Sequence, residues 1–190
     1  MTEKDLKVYT GTGDKKTTGL IIGRIEKSSL RIDCYGTTDE ALSYVGQVYN
    51  YVENEQIQKQ LEDIMSLFFL IGQDLANPKP TERIPWVISE EDISRIEGYI
   101  DFIDGQNTPL SSFILPVGVP GANFSNTART IVRRAERKIV LLSEHDEINL
   151  NILPLINRLS DYFFVLSRFL NKEAGCAERE MIFPNPLKKK

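Results

Sequence analysis

Apolar residues recur at the three- and four-residue spacing of one-sided helices over five stretches, residues 37–53, 56–77, 89–104, 124–146 and 154–174. Strand-like alternation is rare and short. Ser89 followed by Asp92 predicts a capping pair for the third helix, Pro154 suits a first turn, and Gly175 is a natural stop for the last helix. Two connections concentrate the helix breakers. Residues 77–89 hold three prolines, and residues 105–125 hold three more with three glycines. The second connection is long for a compact domain, and such loops are more often functional than idle. The pattern predicts an all-α fold: a five-helix bundle with an ordered Gly-rich N-terminal loop segment outside the helices. No repeat or composition break divides residues 1–190, so one domain is expected, ending in a solvated tail at about 184–190.

Composition narrows the function. With 190 residues, of which 41% are hydrophobic, the chain can bury a core without disulfide or metal staples. Its 23 basic and 27 acidic residues give a net charge of -4, so general attraction to nucleic acid or anionic lipid is not expected, and any polyanion site must be a local cluster. Cys34, Cys176 and the single His145 cannot make a thiolate/imidazole zinc site, and nothing marks a partner for a nucleophilic triad around His145. The opening MTEKDLKVYT lacks the apolar core of a secretory signal, and no membrane-length apolar run follows. The expected location is the cytoplasm.

Three segments carry candidate chemistry. YTGTGDKKTTGLIIG, residues 9–23, gathers Gly11, Gly13, Gly19, Lys15 and the hydroxyls of Thr10, Thr12, Thr17 and Thr18. Glycines admit backbone N–H groups close to phosphate oxygens, lysine adds a point charge, and threonines add donors. A Gly/Thr-rich turn without a ligand accounts for the pattern about as well. A Walker A loop does not, because Lys15 follows Asp14 and no strand precedes the segment. In the fourth helix Ile131, Val132, Ala135, Ile139 and Leu142 share one side, while Arg129, Arg133, Glu136 and Arg137 fall within roughly a 100° arc opposite. A solvated face is the ordinary use of such charges; a triphosphate is what three convergent guanidiniums would suit. In the last helix Asn157 and Asp161 share a face with Arg158 alongside, and Asp161 could hold either an arginine or a hydrated magnesium ion. Asp39 and Glu40, in YGTTDE, are expected at the opening turn of the first helix, where capping alone would explain them.

Taken together these segments resemble the PduO-type ATP:cob(I)alamin adenosyltransferase family. The resemblance rests on YTGTGDKKTTGLIIG with YGTTDE, on FILPVG (113–118) leading into ARTIVRRAER (128–137), and on INRLSDYFFVLSR (156–168). It implies a five-helix bundle assembled as a homotrimer, with ATP and the corrinoid meeting at subunit interfaces. It implies transfer of the 5′-deoxyadenosyl group of ATP to cob(I)alamin, giving adenosylcobalamin and triphosphate, with Mg2+ accompanying ATP. The implied nucleotide contacts are Thr10, Gly11, Thr12, Gly13, Lys15, Thr18, Gly19, Lys27, Arg133, Arg134, Glu136, Arg137 and Asn157. Asp39 and Arg129 are implied to pair across the interface. Phe113 is implied to cover the lower face of the corrinoid and keep an axial ligand from cobalt. A cobalamin reductase and an adenosylcobalamin-dependent enzyme are the implied partners. Lys16 and Val117 depart from the family pattern, which usually has glycine at both. A noncatalytic ATP/cobalamin carrier of the same fold is the alternative, disfavoured because a pure binder would not need Asp39, Arg129, Arg133, Glu136 and Asn157 together.

Overall fold

Local capping starts three of the helices. The Ser29 side chain accepts the Ile32 N–H, Asn54 accepts the N–H groups of Gln56 and Ile57, and the Ser89 N–H donates to Asp92 Oδ2 at 2.9 Å. In the computed structural model, which describes residue 9 and residues 11–182, these caps open α1 (Leu30–Tyr49), α2 (Glu55–Leu75) and α3 (Glu90–Asp104). Then follow α4 (Pro120–Ser143), with proline in its first turn, and α5 (Ile152–Glu173). Ahead of the bundle, β1 (Thr17–Gly19) and β2 (Arg24–Glu26) form an antiparallel hairpin, with Thr17 opposite Glu26. The all-α bundle therefore stands, with this small hairpin added inside the Gly-rich segment. The expected tail at 184–190 lies outside the described residues.

Two boundaries differ from the periodicity. α1 begins at Leu30 rather than 37, because Arg31, Thr37 and Thr38 are buried polar residues that interrupt the apolar pattern. The Thr37 hydroxyl donates to the Asp33 carbonyl and that of Thr38 to the Tyr35 carbonyl, so both are satisfied within the helix. Asp39 and Glu40 consequently stand well inside α1, and the acid of its first turn is Asp33. α4 begins at Pro120 rather than 124, which shortens the preceding connection to residues 105–119.

α4 packs along both α5 and α1, while α3 closes on α5 and α2 on α1. Being central, α5 is buried on nearly every side: Leu155, Ile156, Leu159, Tyr162, Phe163 and Leu166 have no exposed surface. Tyr162 donates its hydroxyl to Gln60 of α2 at 3.2 Å, and burial pushes its phenol far above the ordinary value.

Two buried charges tie the connections to this core. Asp74, near the end of α2, accepts the N–H groups of Val87 and Ile88 at 2.9 and 3.1 Å and the Asn149 amide at 2.7 Å. Arg31 donates to the carbonyls of Leu75 and Glu147 at 2.8 and 2.9 Å. Its first bond satisfies a carbonyl that the end of α2 would otherwise leave without a partner. The β1–β2 hairpin docks at the same place, through the Ile21 N–H and the Ala76 carbonyl at 3.1 Å.

Candidate active site

The Gly/Thr segment is folded back on itself by a residue the motif reading passed over. Arg24 of β2 donates from Nη2 to the Thr12 carbonyl at 2.6 Å and to the Thr17 carbonyl at 3.1 Å, and from Nε to Thr17 Oγ1 at 3.2 Å. An arginine directly after the GLIIG turn, facing Thr17 and Gly19 across a hairpin, was the available signal. Lys27 closes the other side: its N–H donates to the Lys16 carbonyl at 2.8 Å, and a Cβ on Gly13 would lie 3.1 Å from its Nζ. Lys16, where the resemblance implies glycine, adopts φ +64°. Gly11, Thr12 and Lys15 are exposed, and Gly13 and Thr18 are half-buried. Thr10 lies outside the described residues.

Between the hairpin, α1 and α2 opens a cavity of about 790 Å³, lined by Thr18, Gly19, Tyr35, Asp39, Phe68 and Phe69 among others. Its rim includes large apolar groups facing solvent, with Phe69 68% exposed. A neighbouring cleft between α1 and α4 is charged, holding Lys27, Asp33, Glu40, Arg134 and Lys138. Within it Arg134 is drawn onto Glu40, and Lys138 donates to Asp33 Oδ1 at 2.6 Å. Arg134 thus faces α1, apart from the outward arginines of the same helix.

Arg133 and Arg137 are exposed one turn apart on α4, and Arg137 Nη1 donates to the Arg133 carbonyl at 3.0 Å. Glu136 accepts the Asn157 amide of α5 at 2.9 Å. Asn157 in turn accepts from Arg158 Nη1 at 3.0 Å, and Arg158 pairs with Glu97 of α3 at 2.9 Å and Asp161 at 3.8 Å. The fold therefore brings Arg133, Glu136, Arg137 and Asn157 together on one surface, with Asp161 3.8 Å from Arg158 beside them. Among the described residues no three Asp, Glu, His or Cys side chains converge to hold a metal ion.

A further cleft of about 650 Å³ lies between the connection 105–119, α4 and α5, lined by Leu110, Phe113, Ile114, Pro116, Asn126, Arg129 and Phe164. Phe113 is 75% exposed, an unusual state for a phenylalanine with a core beside it. Arg129 is half-buried; its Nε donates to Asn126 Oδ1 at 3.4 Å, and no described carboxylate of the chain pairs with it. Burial, aided by the neighbouring Arg133 charge, draws its guanidinium below the ordinary arginine value. Asp39 and Arg129 accordingly line different clefts of one chain and do not meet within it.

Set against known proteins, residues 8–170 match the family model described as cobalamin adenosyltransferase. The corrinoid adenosyltransferase of Bacillus subtilis is 41% identical over 179 residues, spanning 92% of each chain, and that of Mus musculus is 32% identical over 180 residues, spanning 91% of this chain and 76% of its own. A single-residue variant of the PduO-type ATP:corrinoid adenosyltransferase from Lactobacillus reuteri, solved with cobalamin and ATP, superposes with a TM-score of 0.85 at 36% identity, covering 94% of this chain and 97% of its own.

Proposed function

The chain belongs to the cobalamin adenosyltransferase family, and from that premise we propose how its clefts divide the work. It is an ATP:corrinoid adenosyltransferase: the 5′-deoxyadenosyl group of ATP passes to cob(I)alamin, yielding adenosylcobalamin and triphosphate. The lone pair of Co(I) attacks C5′, a Co–C bond forms as the C5′–O bond breaks, and the electron pair leaves with the triphosphate while cobalt becomes formally Co(III). The observation that carries the assignment lies on α4. Arg129 lines the Phe113 cleft, and the Arg133–Glu136–Arg137–Asn157 cluster begins one turn later, about 6 Å along the axis. One helix so offers a large, partly apolar cleft end to end with a guanidinium cluster, as a transfer between a corrinoid and a triphosphate requires.

In this reading Gly11, Thr12, Gly13, Lys15, Thr18, Gly19 and Lys27 hold ATP from the N-terminal segment, with Thr10 assigned by its motif alone. Arg133 and Arg137 match the charge gathering on the leaving triphosphate, Glu136 and Asn157 fix the nucleoside end, and Arg134 supports from the α1 side. The protein contributes positioning and preorganised charge. Mg2+ suits these residues only as an ion carried by the phosphates, its usual manner with nucleotides, since the described residues offer no cage. Phe113 covers the lower corrinoid face, keeps an axial ligand away and eases reduction of cob(II)alamin by a reductase.

The separation of Asp39 from Arg129 supports assembly. Arg129 is half-buried with no described carboxylate beside it, and Asp39 of a second copy would supply one, so we place the active sites between the subunits of a homotrimer. No described helix is long and apolar enough to cross a membrane. The cytoplasm, and hand-over of product to an adenosylcobalamin-dependent enzyme, complete the reading.

The deciding experiment is anaerobic incubation of the purified protein with MgATP and chemically reduced cob(I)alamin. Adenosylcobalamin and triphosphate should appear in equal amounts. ATP binding without turnover would reject the assignment in favour of a carrier.

A further inference from the structure

The connection 105–119 presents Phe113 outward, and it has few apolar anchors of its own; its conformation is set from behind by polar residues of α5. Asn171, 5% exposed, donates from Nδ2 to the Val117 carbonyl at 3.0 Å and accepts the Val119 N–H on Oδ1 at 3.0 Å. This two-bond clamp grips the backbone on both sides of Gly118. Gly118 has φ +144°, and a Cβ there would fall 1.9 Å from Asn171 Oδ1, so clamp and glycine require each other.

The backbone of Asn171 does a second job. Its carbonyl accepts the Cys176 N–H at 2.8 Å while the Gly175 N–H reaches the Lys172 carbonyl at 3.0 Å, with Gly175 at φ +65°. That is a Schellman turn, and it sends residues 176–182 back along the loop. There the Leu115 N–H donates to the Arg179 carbonyl and the Met181 N–H to the Phe113 carbonyl, each at 2.7 Å. One turn earlier on α5, Arg168, 4% exposed, donates to the Thr108 carbonyl at the start of the loop and from Nε to Glu178 Oε1 at 2.6 Å.

We infer that Asn171 and Arg168 are positioning residues for corrinoid recognition: from the buried side of α5 they fix both ends of the Phe113 loop and pin residues 176–182 to it. Neither lines the Phe113 cleft, so they act through the loop backbone. The inference rests on the corrinoid reading of that cleft.

Asn171→Asp keeps the acceptor for Val119 and loses the donor to Val117; Asn171→Ala loses both; Glu178→Gln weakens the Arg168 tether at a partly exposed position. Hydrogen exchange of the free protein should show amides 110–119 and 177–182 opening about five- to tenfold faster, the loss of one ordinary hydrogen bond, with α1 and α2 unchanged. The KM for cob(I)alamin should rise by a similar factor while that for ATP stays within about twofold. Gly118→Ala should reproduce both effects. Unchanged loop exchange in Asn171→Asp and Glu178→Gln would overturn the tether, as would corrinoid and ATP KM values rising together. If Asn171→Ala does not fold, Asn171→Asp and Glu178→Gln decide the matter. Should the unaltered protein bind no corrinoid, the functional reading fails while the exchange result still stands for the tether.

Discussion

Arg133 is an exposed side chain whose removal leaves no cavity, so its worth lies in what it meets outside the chain. Arg133→Ala should lower kcat by about 10²- to 10³-fold, the usual cost of losing a preorganised charge partner, with the melting temperature unchanged. A steady-state assay beside a thermal melt checks this, and unfolding instead would show the residue faces the core. Phe113→Ala should slow the reaction started from cob(II)alamin and a reductase more than the one started from cob(I)alamin; equal losses would count against ligand exclusion. The two thiols separate by environment. Burial, reinforced by the Asp33 charge, pushes Cys34 up to about 11, leaving about one thiolate in a thousand at pH 8, whereas Cys176 is half-exposed. Alkylation at pH 8 should therefore label Cys176 in the folded protein and Cys34 only after denaturation, read by peptide mass spectrometry.

The helices whose buried positions are apolar were legible from periodicity, α2 and α3 to within one or two residues. Elements held by polar groups were not. The start of α1 was hidden by Arg31, Thr37 and Thr38, each buried yet satisfied by a carbonyl. The start of α4, PGANF, has the composition of a turn, but its Gly121 serves close approach: a Cβ there would sit 2.8 Å from Tyr51 Cβ. For the same reason Arg168 and Asn171 escaped notice, since nothing local distinguishes a polar residue that clamps a distant backbone from one that faces water. Phe113 and the arginines of α4 were singled out because they sit in the short motifs that carry the family resemblance, and their exposure is what the structure adds. Asp74 is the element-scale test of such polar fastening. Asp74→Ala would strand the N–H groups of Val87 and Ile88 and cost about 2–4 kcal/mol, measurable as a lowered urea midpoint at constant slope.

At the scale of the molecule, one chain carries Asp39 and Arg129 in separate clefts that do not meet within it. Asp39 and Thr18 open on one cleft and Arg129 on another, and it is the family resemblance, not the geometry of one chain, that implies their pairing across subunits. If copies complete each other, co-refolded Asp39→Ala and Arg133→Ala chains, each inactive alone, should recover about a quarter of the normal activity, since one in four interfaces then draws both intact faces. No recovery in a freely reassorting mixture would place each site within a single chain. The fastening of Phe113 by residues 176–182 also sets an order of events during synthesis. The glycine-rich segment emerges first, and the bundle can gather around it as the helices follow. The segment that pins the Phe113 carbonyl leaves the ribosome only after α5, so the Phe113 loop is fastened last, once the helices that hold the nucleotide residues have been made.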